Sequence, residues 1–239
     1  MVKPKKSLSQ NFLLDKNISK KIVEQTSIKN KFILEIGPGY GFLTDNILIK
    51  NPKKLFLIEK DYKLKIEIQK KYKKNNKVEV IGDDILKTNF KNFKNLIIIS
   101  NLPYNISSKI ILYLFNFSKN IDEMIFMIQK EMAIKFDYNL PKMNKYKFLT
   151  KIVSDYSRCF DVSSNVFFPK PKVKSTIVKF KFNQNKNDLE RANDFSKQIF
   201  KNVRKKINNN INSKLDNKIL NKRVNELNID ELLNIYNFF

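Results

Sequence analysis

Histidine is absent from this sequence. That removes imidazole metal ligands and the commonest general base near neutral pH. It also excludes Ser-His-Asp and Cys-His nucleophile systems, so any chemistry must run without a tuned imidazole. Cysteine occurs once, at Cys159, and no intrachain disulfide can form. This is compatible with a reducing compartment. No unbroken apolar run reaches the ~18 residues that a membrane-spanning helix needs. No signal peptide is recognisable, and sequence with motif character starts near Lys5, so a cytoplasmic location is expected. No metal is expected.

Acid is also scarce. Lys and Arg number 47 against 23 Asp and Glu, a formal charge of +24. Such a charge repels itself in a compact state and calls for a polyanionic partner. An AT-rich genome would enrich Lys and Asn, but it should raise Glu and Asp as well, so it does not account for the excess of base. A nucleic-acid partner is the better reading. Hydrophobic residues make up 42% of 239 positions, enough for one full domain with a core and a small appendage.

Short apolar runs alternate with Lys-rich segments of helical length. Residues 32–36, 55–58, 78–81, 96–100 and 123–128 read as buried strands, and residues 61–73 as an intervening helix. Strands alternating with helices imply βαβ units and a parallel sheet. Phe148, Leu149, Ile152, Val153 and Tyr156 recur at helical spacing. Residues 176–182 alternate as a late strand, 183–187 look like a polar linker, and 188–239 read as helices with Asn-rich breaks. The expected fold is therefore α/β, with a doubly wound sheet over residues 1–182 and a small helical domain over 183–239.

Only four glycines occur, Gly37, Gly39, Gly41 and Gly82. Ordinary turns here use Asn, Asp, Ser, Lys and Pro, so a remaining glycine should mark a demanding backbone or a close ligand approach. Three of them fall in Glu35-Ile-Gly-Pro-Gly-Tyr-Gly41, directly after the first strand. Gly82 directly follows the third. In a doubly wound sheet both places lie at the carboxyl ends of strands, where ligands bind. Glu59 ends the second strand, 22 residues after Gly37, and an acid at that interval typically binds ribose hydroxyls. Asp83 could accept from an adenine amine. A dinucleotide and S-adenosylmethionine both remain open at this point, but the loop lacks the pyrophosphate spacing, which favours S-adenosylmethionine.

Asn101-Leu-Pro-Tyr104 follows the fourth strand, at the same edge. These residue types suit attack by an exocyclic adenine amine, whose lone pair is delocalised into the ring. The Asn101 side-chain oxygen and the Leu102 carbonyl can hold the two amine hydrogens and localise that lone pair. Pro103 stiffens the turn. Tyr104 offers a face on which a flipped base can stack, worth ~1–3 kcal/mol. No strong base is required, because the amine becomes acidic only after it has attacked the sulfonium.

With these motifs in hand, the chain resembles the small-subunit rRNA adenine N6,N6-dimethyltransferase family almost end to end. Lys6-Ser-Leu-Ser-Gln-Asn-Phe-Leu13 is similar to its N-terminal motif and Glu35–Gly41 to its cofactor loop. Asn101-Leu-Pro-Tyr-Asn-Ile-Ser107 is similar to its catalytic signature, and Phe167-Phe-Pro-Lys-Pro-Lys-Val-Lys-Ser175 to a segment before the last strand. Residues 200–211 resemble a basic helix, and 223–236 its closing helices. The resemblance implies a Rossmann-like class I methyltransferase domain with S-adenosylmethionine as methyl donor. Gln10, Asn11, Leu13, Gly37, Gly39, Glu59, Asp83, Asp84 and Asn101 would bind it. Asn101, Leu102, Pro103 and Tyr104 would form the target site, with Phe167 stacking on the opposite face of the base. Arg204 and Lys205 would touch RNA phosphates. The implied substrate is two adjacent adenosines in a hairpin loop near the 3′ end of small-subunit rRNA, in an immature small subunit, acted on by a monomer away from any membrane.

Four departures stand out. Ser9 and Ser100 stand where the family typically has Gly, Lys174 replaces an acid, and residues 144–150 lack a usual Gly. None removes a catalytic group. Two rival readings are a large-subunit rRNA methyltransferase of the antibiotic-resistance type, and a non-catalytic ribosome-assembly or transcription factor on the same fold. Leu102 and the C-terminal motif favour the small-subunit branch, and intact Asn101, Tyr104, Glu59 and Asp83 speak against lost catalysis.

Overall fold

The computed structural model describes residues 4–5, 10–183, 189–207 and 217–239. They divide into two compact units, residues 1–132 with 157–182 and residues 133–156 with 183–239.

The first unit opens with β1 (Phe12–Leu13) and α1 (Lys16–Val23), whose first amides are capped by the Asp15 carboxylate. Then follow β2 (Phe32–Ile36), α2 (Phe42–Ile49), β3 (Lys54–Ile58), α3 (Tyr62–Tyr72), β4 (Val78–Ile81), β5 (Leu96–Asn101), α4 (Ser107–Phe115) and β6 (Ile121–Gln129). After α5 (Lys130–Phe136) and α6 (Lys145–Val153) come β7 (Ser154–Val162), β8 (Phe167–Phe168) and β9 (Ser175–Phe182). The expected strands lie within β2, β3, β4, β5, β6 and β9. Sheet order is β4-β3-β2-β5-β6-β9-β7, with β4, β3, β2, β5 and β6 parallel and β9 antiparallel to β6. The parallel strands are nearly continuous apolar runs such as Leu-Ile-Ile-Ile in β5, as burial on both faces demands. Between β2 and β5 the order of strands reverses, which opens a crevice at their carboxyl ends.

Tyr156 differs from its expected helical place. The apolar period of residues 148–153 stops at Val153, where α6 ends, and Tyr156 belongs to β7. Its side chain is still buried, because alternate residues of the strand face inward.

The second unit holds α6, α7 (Leu189–Ile199), α8 (Asn217–Leu220) and α9 (Ile229–Phe238). Its core is aromatic: Phe148, Phe195 and Tyr236 meet pairwise at 5.1–5.3 Å between ring centroids. The α6 residue Phe148 is fully buried in that cluster, which is why residues 133–156 join this unit although the expected boundary fell at residue 182 alone. Asn144, in the segment without the usual Gly, caps α6 by accepting from the amides of Tyr146 and Lys147. The expected basic helix over residues 200–211 is not seen in its described part. Helix α7 ends at Ile199, and residues 201–207 form turns and a bridge from Lys206 to Arg223. Residues 208–211 lie outside the described residues, as do Ser9 and residues 184–188 of the expected linker.

Candidate active site

A cavity of about 240 Å³ sits at the carboxyl ends of β2, β3, β4 and β5 in the first unit. Gln10, Asn11, Gly37, Gly39, Glu59, Asp83, Asp84, Asn101, Leu102 and Pro103 all line it, so segments spread over some 90 residues of sequence converge on one place. Ile36, Ile58, Leu64, Ile85 and Ile110 supply an apolar wall.

The geometry of the glycine loop explains its composition. Gly39 has φ +56°, and a Cβ there would sit 2.8 Å from Cδ1 of the Phe12 ring. A side chain would therefore meet both backbone strain and a collision. Gly41 has φ +83° and lies under the Tyr72 hydroxyl, which donates to the Gly41 carbonyl and to Asp45. Gly82 does not have a left-handed φ, and a Cβ there would meet the flexible Lys65 side chain. Among the described residues the left-handed positions other than glycine are held by Asn30, Asn51, Asn95 and Lys142.

Behind the loop, Glu35 is buried and its carboxyl accepts from Thr44 Oγ1 at 2.6 Å. Burial pushes its pKa up to about 8, only partly opposed by that hydrogen bond. Glu59 lines the cavity and is also raised by burial, with the amides of Asp61, Gly39 and Lys60 pulling it back. The Asp61 amide donates to Glu59 Oε1 at 2.8 Å. Asp83 Oδ1 accepts from the Asp84 amide at 2.6 Å, and Asp84 pairs with Lys60 Nζ at 2.8 Å, which holds its carboxyl below the usual range.

Asn101 ends β5. The neighbouring Ser100 hydroxyl, one of the four departures noted above, donates to the Ile36 carbonyl at 2.5 Å and ties β5 to β2 at the point of reversal. Asn101 Nδ2 donates to the Asn11 carbonyl at 2.8 Å, while its Oδ1 is buried with no partner among the described residues. A buried acceptor left open costs ~1–3 kcal/mol, so it is poised for a donor from a ligand. The Leu102 amide donates to the Met127 carbonyl at 3.2 Å, fixing the start of the turn. The Tyr104 hydroxyl bonds Ser175 Oγ at 2.6 Å, and burial raises its pKa despite that bond.

A family model for ribosomal RNA adenine dimethylase matches residues 1–238. The chain belongs to the ribosomal RNA adenine dimethylase family. Ribosomal RNA small subunit methyltransferase A of Malacoplasma penetrans (strain HF-2) is 41% identical, over 79% of this chain and 68% of its own. The protein of the same name in Mesomycoplasma hyopneumoniae (strain 232) is 38% identical, over 99% of this chain and 87% of its own. The solved 23S rRNA methyltransferase ErmE superposes with a TM-score of 0.79 over 95% of this chain and 98% of its own, at 20% identity, which is a likeness of fold.

Within this family framework some expected residues lie elsewhere. Leu13 and Phe167 do not line the cavity; both are buried in the core cluster with Ile22, Ile33 and Ile177. The reason is the pairing of β1 with β8, Phe12 opposite Phe168 and Leu13 opposite Phe167, which turns one pair inward. Arg204 and Lys205 are exposed in the turns after α7. Three residues escaped the sequence reading. Phe12 lines the cavity and packs at 4.5 Å against Tyr40, the two rings tilted by 49°. Ser175 holds Tyr104. Asp61 accepts from Lys5 Nζ at 2.9 Å, from Gln10 Nε2 at 3.2 Å and from the Lys63 amide as cap of α3. Burial raises its carboxyl, but these donors more than offset that and hold it low. An acid next but one to the ribose-spaced Glu59 was the available signal. Among the described residues no group of three or more His, Cys, Asp or Glu could hold a metal, and no helix is long and apolar enough to cross a membrane.

Proposed function

We propose that this chain carries methyl groups from S-adenosylmethionine to N6 of two adjacent adenosines in the 3′-terminal hairpin loop of small-subunit rRNA, within an immature small subunit, as a cytoplasmic monomer. The observation that carries the reading is Asn101 Oδ1, a buried acceptor without a partner among the described residues, facing a cavity whose other polar groups suit an adenosine-bearing ligand.

The donor set fits S-adenosylmethionine. Glu59 would take the ribose hydroxyls, Asp83 with Asp84 the adenine amine, and Gly37 and Gly39 the methionine end, with Gln10 and Asn11 closing over it and Leu13 supporting from the core. When bound, S-adenosylmethionine supplies an electrophilic methyl group. Everything else falls to the protein. Asn101 Oδ1 and the Leu102 carbonyl accept the two N6 hydrogens and turn the amine lone pair outward from the ring. Asn11, by taking the Asn101 amide, keeps the oxygen aimed at the substrate. Pro103 limits the freedom of the turn. Tyr104, tethered by Ser175, stacks on the extruded base. Extrusion costs a few kcal/mol, least for a base already in a loop. Arg204 and Lys205 contribute phosphate contacts, and Phe167 of β8, buried in the core, supports the target site from within rather than stacking on the base.

Methyl transfer from labelled S-adenosylmethionine to immature small subunits, with large subunits in parallel and nucleoside analysis of both, tests this. Dimethyladenosine from small subunits alone is expected. Label in large-subunit RNA, or tight binding with no label, overturns it.

A further inference from the structure

The ribbon of β1 and β8 has two faces. Directly opposed residues of an antiparallel pair share a face, and successive residues alternate. Leu13 and Phe167 form the inward pair, with Phe167 only 5% exposed. Phe12 and Phe168 form the other pair. Phe12 lines the cavity, and Phe168, beside it on the same face, is 50% exposed. A half-exposed phenylalanine next to a ligand cavity is the kind of apolar surface that marks a contact.

The sequence that follows identifies the contact. Lys170, Lys172 and Lys174 are all exposed, and none has an acidic partner among the described residues. The strip then enters Ser175, which holds the Tyr104 hydroxyl at 2.6 Å. One continuous segment thus runs from an exposed ring beside the cavity-lining Phe12 to the partner of Tyr104, carrying three cations. An aromatic ring flanked by cations is the chemistry of single-stranded nucleic acid, with the base on the π face and the phosphates on the lysines.

We propose that Phe168 is a stacking platform for an unpaired base next to the target adenine, with Lys170, Lys172 and Lys174 on the adjoining phosphates. This rests on the methyltransferase reading above and adds a contact outside the target pocket. Phe168 holds the loop while the neighbouring adenine is extruded. Its role is selection and positioning of RNA, so it acts on KM for RNA and leaves cofactor affinity alone.

The test uses the full chain with Phe168→Leu, Phe168→Ala and Phe168→Trp. Leucine keeps the apolar bulk but has no π face, which separates stacking from packing. Calorimetric titration with S-adenosylmethionine checks that each variant is folded and loaded as wild type. A small-subunit hairpin RNA with 2-aminopurine beside the target adenosine reports stacking directly, without turnover. Wild type and Phe168→Trp should quench the probe on binding. Phe168→Leu and Phe168→Ala should lose the quench and raise KM for RNA at least about fivefold, the lower bound for one stacked base. Wild-type quench and KM in Phe168→Leu overturn the proposal, even if Phe168→Ala fails to fold. A wild type that quenches but never methylates overturns the functional reading instead, and the quench still decides on Phe168.

Discussion

The side-chain amide of Asn101 donates to the backbone carbonyl of Asn11 at 2.8 Å, a contact between residues 90 positions apart in the chain. It joins the N-terminal segment to the turn after β5, and both line the same cavity. Through it, the nitrogen is held by the Asn11 carbonyl and the oxygen is left for substrate. The two halves of the site are therefore not independent, and the variants that separate them follow from the contacts around each.

Asp61 anchors the N-terminal side of this arrangement. Replacing it with Ala removes the cap of α3 and the partner of Lys5 and Gln10 together, whereas Asn keeps the capping oxygen but puts an amide nitrogen, which cannot accept, where Oδ2 met Lys5 and Gln10. Loss of a cap costs ~1 kcal/mol, so Asp61→Ala should lower the melting temperature by about 2–4 °C for a chain of this size. Asp61→Asn should melt close to wild type. Both should weaken S-adenosylmethionine binding, since both loosen the Lys5 and Gln10 contacts. Melting curves and calorimetric titration check this; equal melting of the two variants would count against the cap.

Gly39 and Gly37 differ in a way that stability measurements can resolve. Both have left-handed φ, +56° and +65°, so an alanine at either costs about 1–2 kcal/mol in backbone strain. At Gly37 no atom lies within 4 Å of the methyl that alanine would add, while at Gly39 the Phe12 ring stands at 2.8 Å. Gly39→Ala should accordingly lose more stability than Gly37→Ala, and it should disturb Phe12. Chemical denaturation of the pair decides, and equal losses would show that Phe12 yields freely.

Glu35 sets a pH dependence. The folded chain holds its proton up to about pH 8, while the unfolded chain releases it near 4.5. Between those values the unfolded state binds fewer protons, so stability falls as pH rises, by at most ~1.4 kcal/mol per pH unit. The contribution is fully present below 4.5 and gone above 8. Glu59, also raised, acts in the same direction. With no histidine in the chain, no imidazole titrates across this window. Denaturation midpoints from pH 5 to 8 should slope downward for wild type and flatten in Glu35→Gln; a parallel slope in the variant would exclude Glu35 as the source.

How far the sequence could be read depended on which signals are local. The β5 run and the Asn101–Tyr104 turn were legible because a buried parallel strand is apolar without interruption and the turn follows it directly. The cavity lining was legible because glycine and acid spacing survive in one dimension. Tyr156 was misread because an apolar period continues smoothly from α6 into β7, and only the packing of the strand ends the helix. Of the two demands that a rare glycine signals, Gly82 does not meet the backbone one, which composition alone could not tell. The faces of Phe12, Phe167 and Phe168 were beyond reach, since they depend on the register between β1 and β8, two strands of two residues each and some 150 positions apart. The turns of residues 201–207 lack Gly and Pro, so nothing in their sequence announces the end of α7.

Asn101 Oδ1 is expected to act on the target amine of the substrate and not on the RNA phosphates. Single-turnover methylation of small-subunit RNA by wild type and Asn101→Ala, with RNA and S-adenosylmethionine affinities measured on the same samples, tests it most directly. Removing one preorganised hydrogen-bonding group at a reacting centre typically costs ~10²–10³ in rate. Wild type should give dimethyladenosine and Asn101→Ala should lose at least that much in rate, with RNA affinity within a few fold. An unchanged rate, or a loss of rate matched by an equal loss of RNA binding, would contradict it.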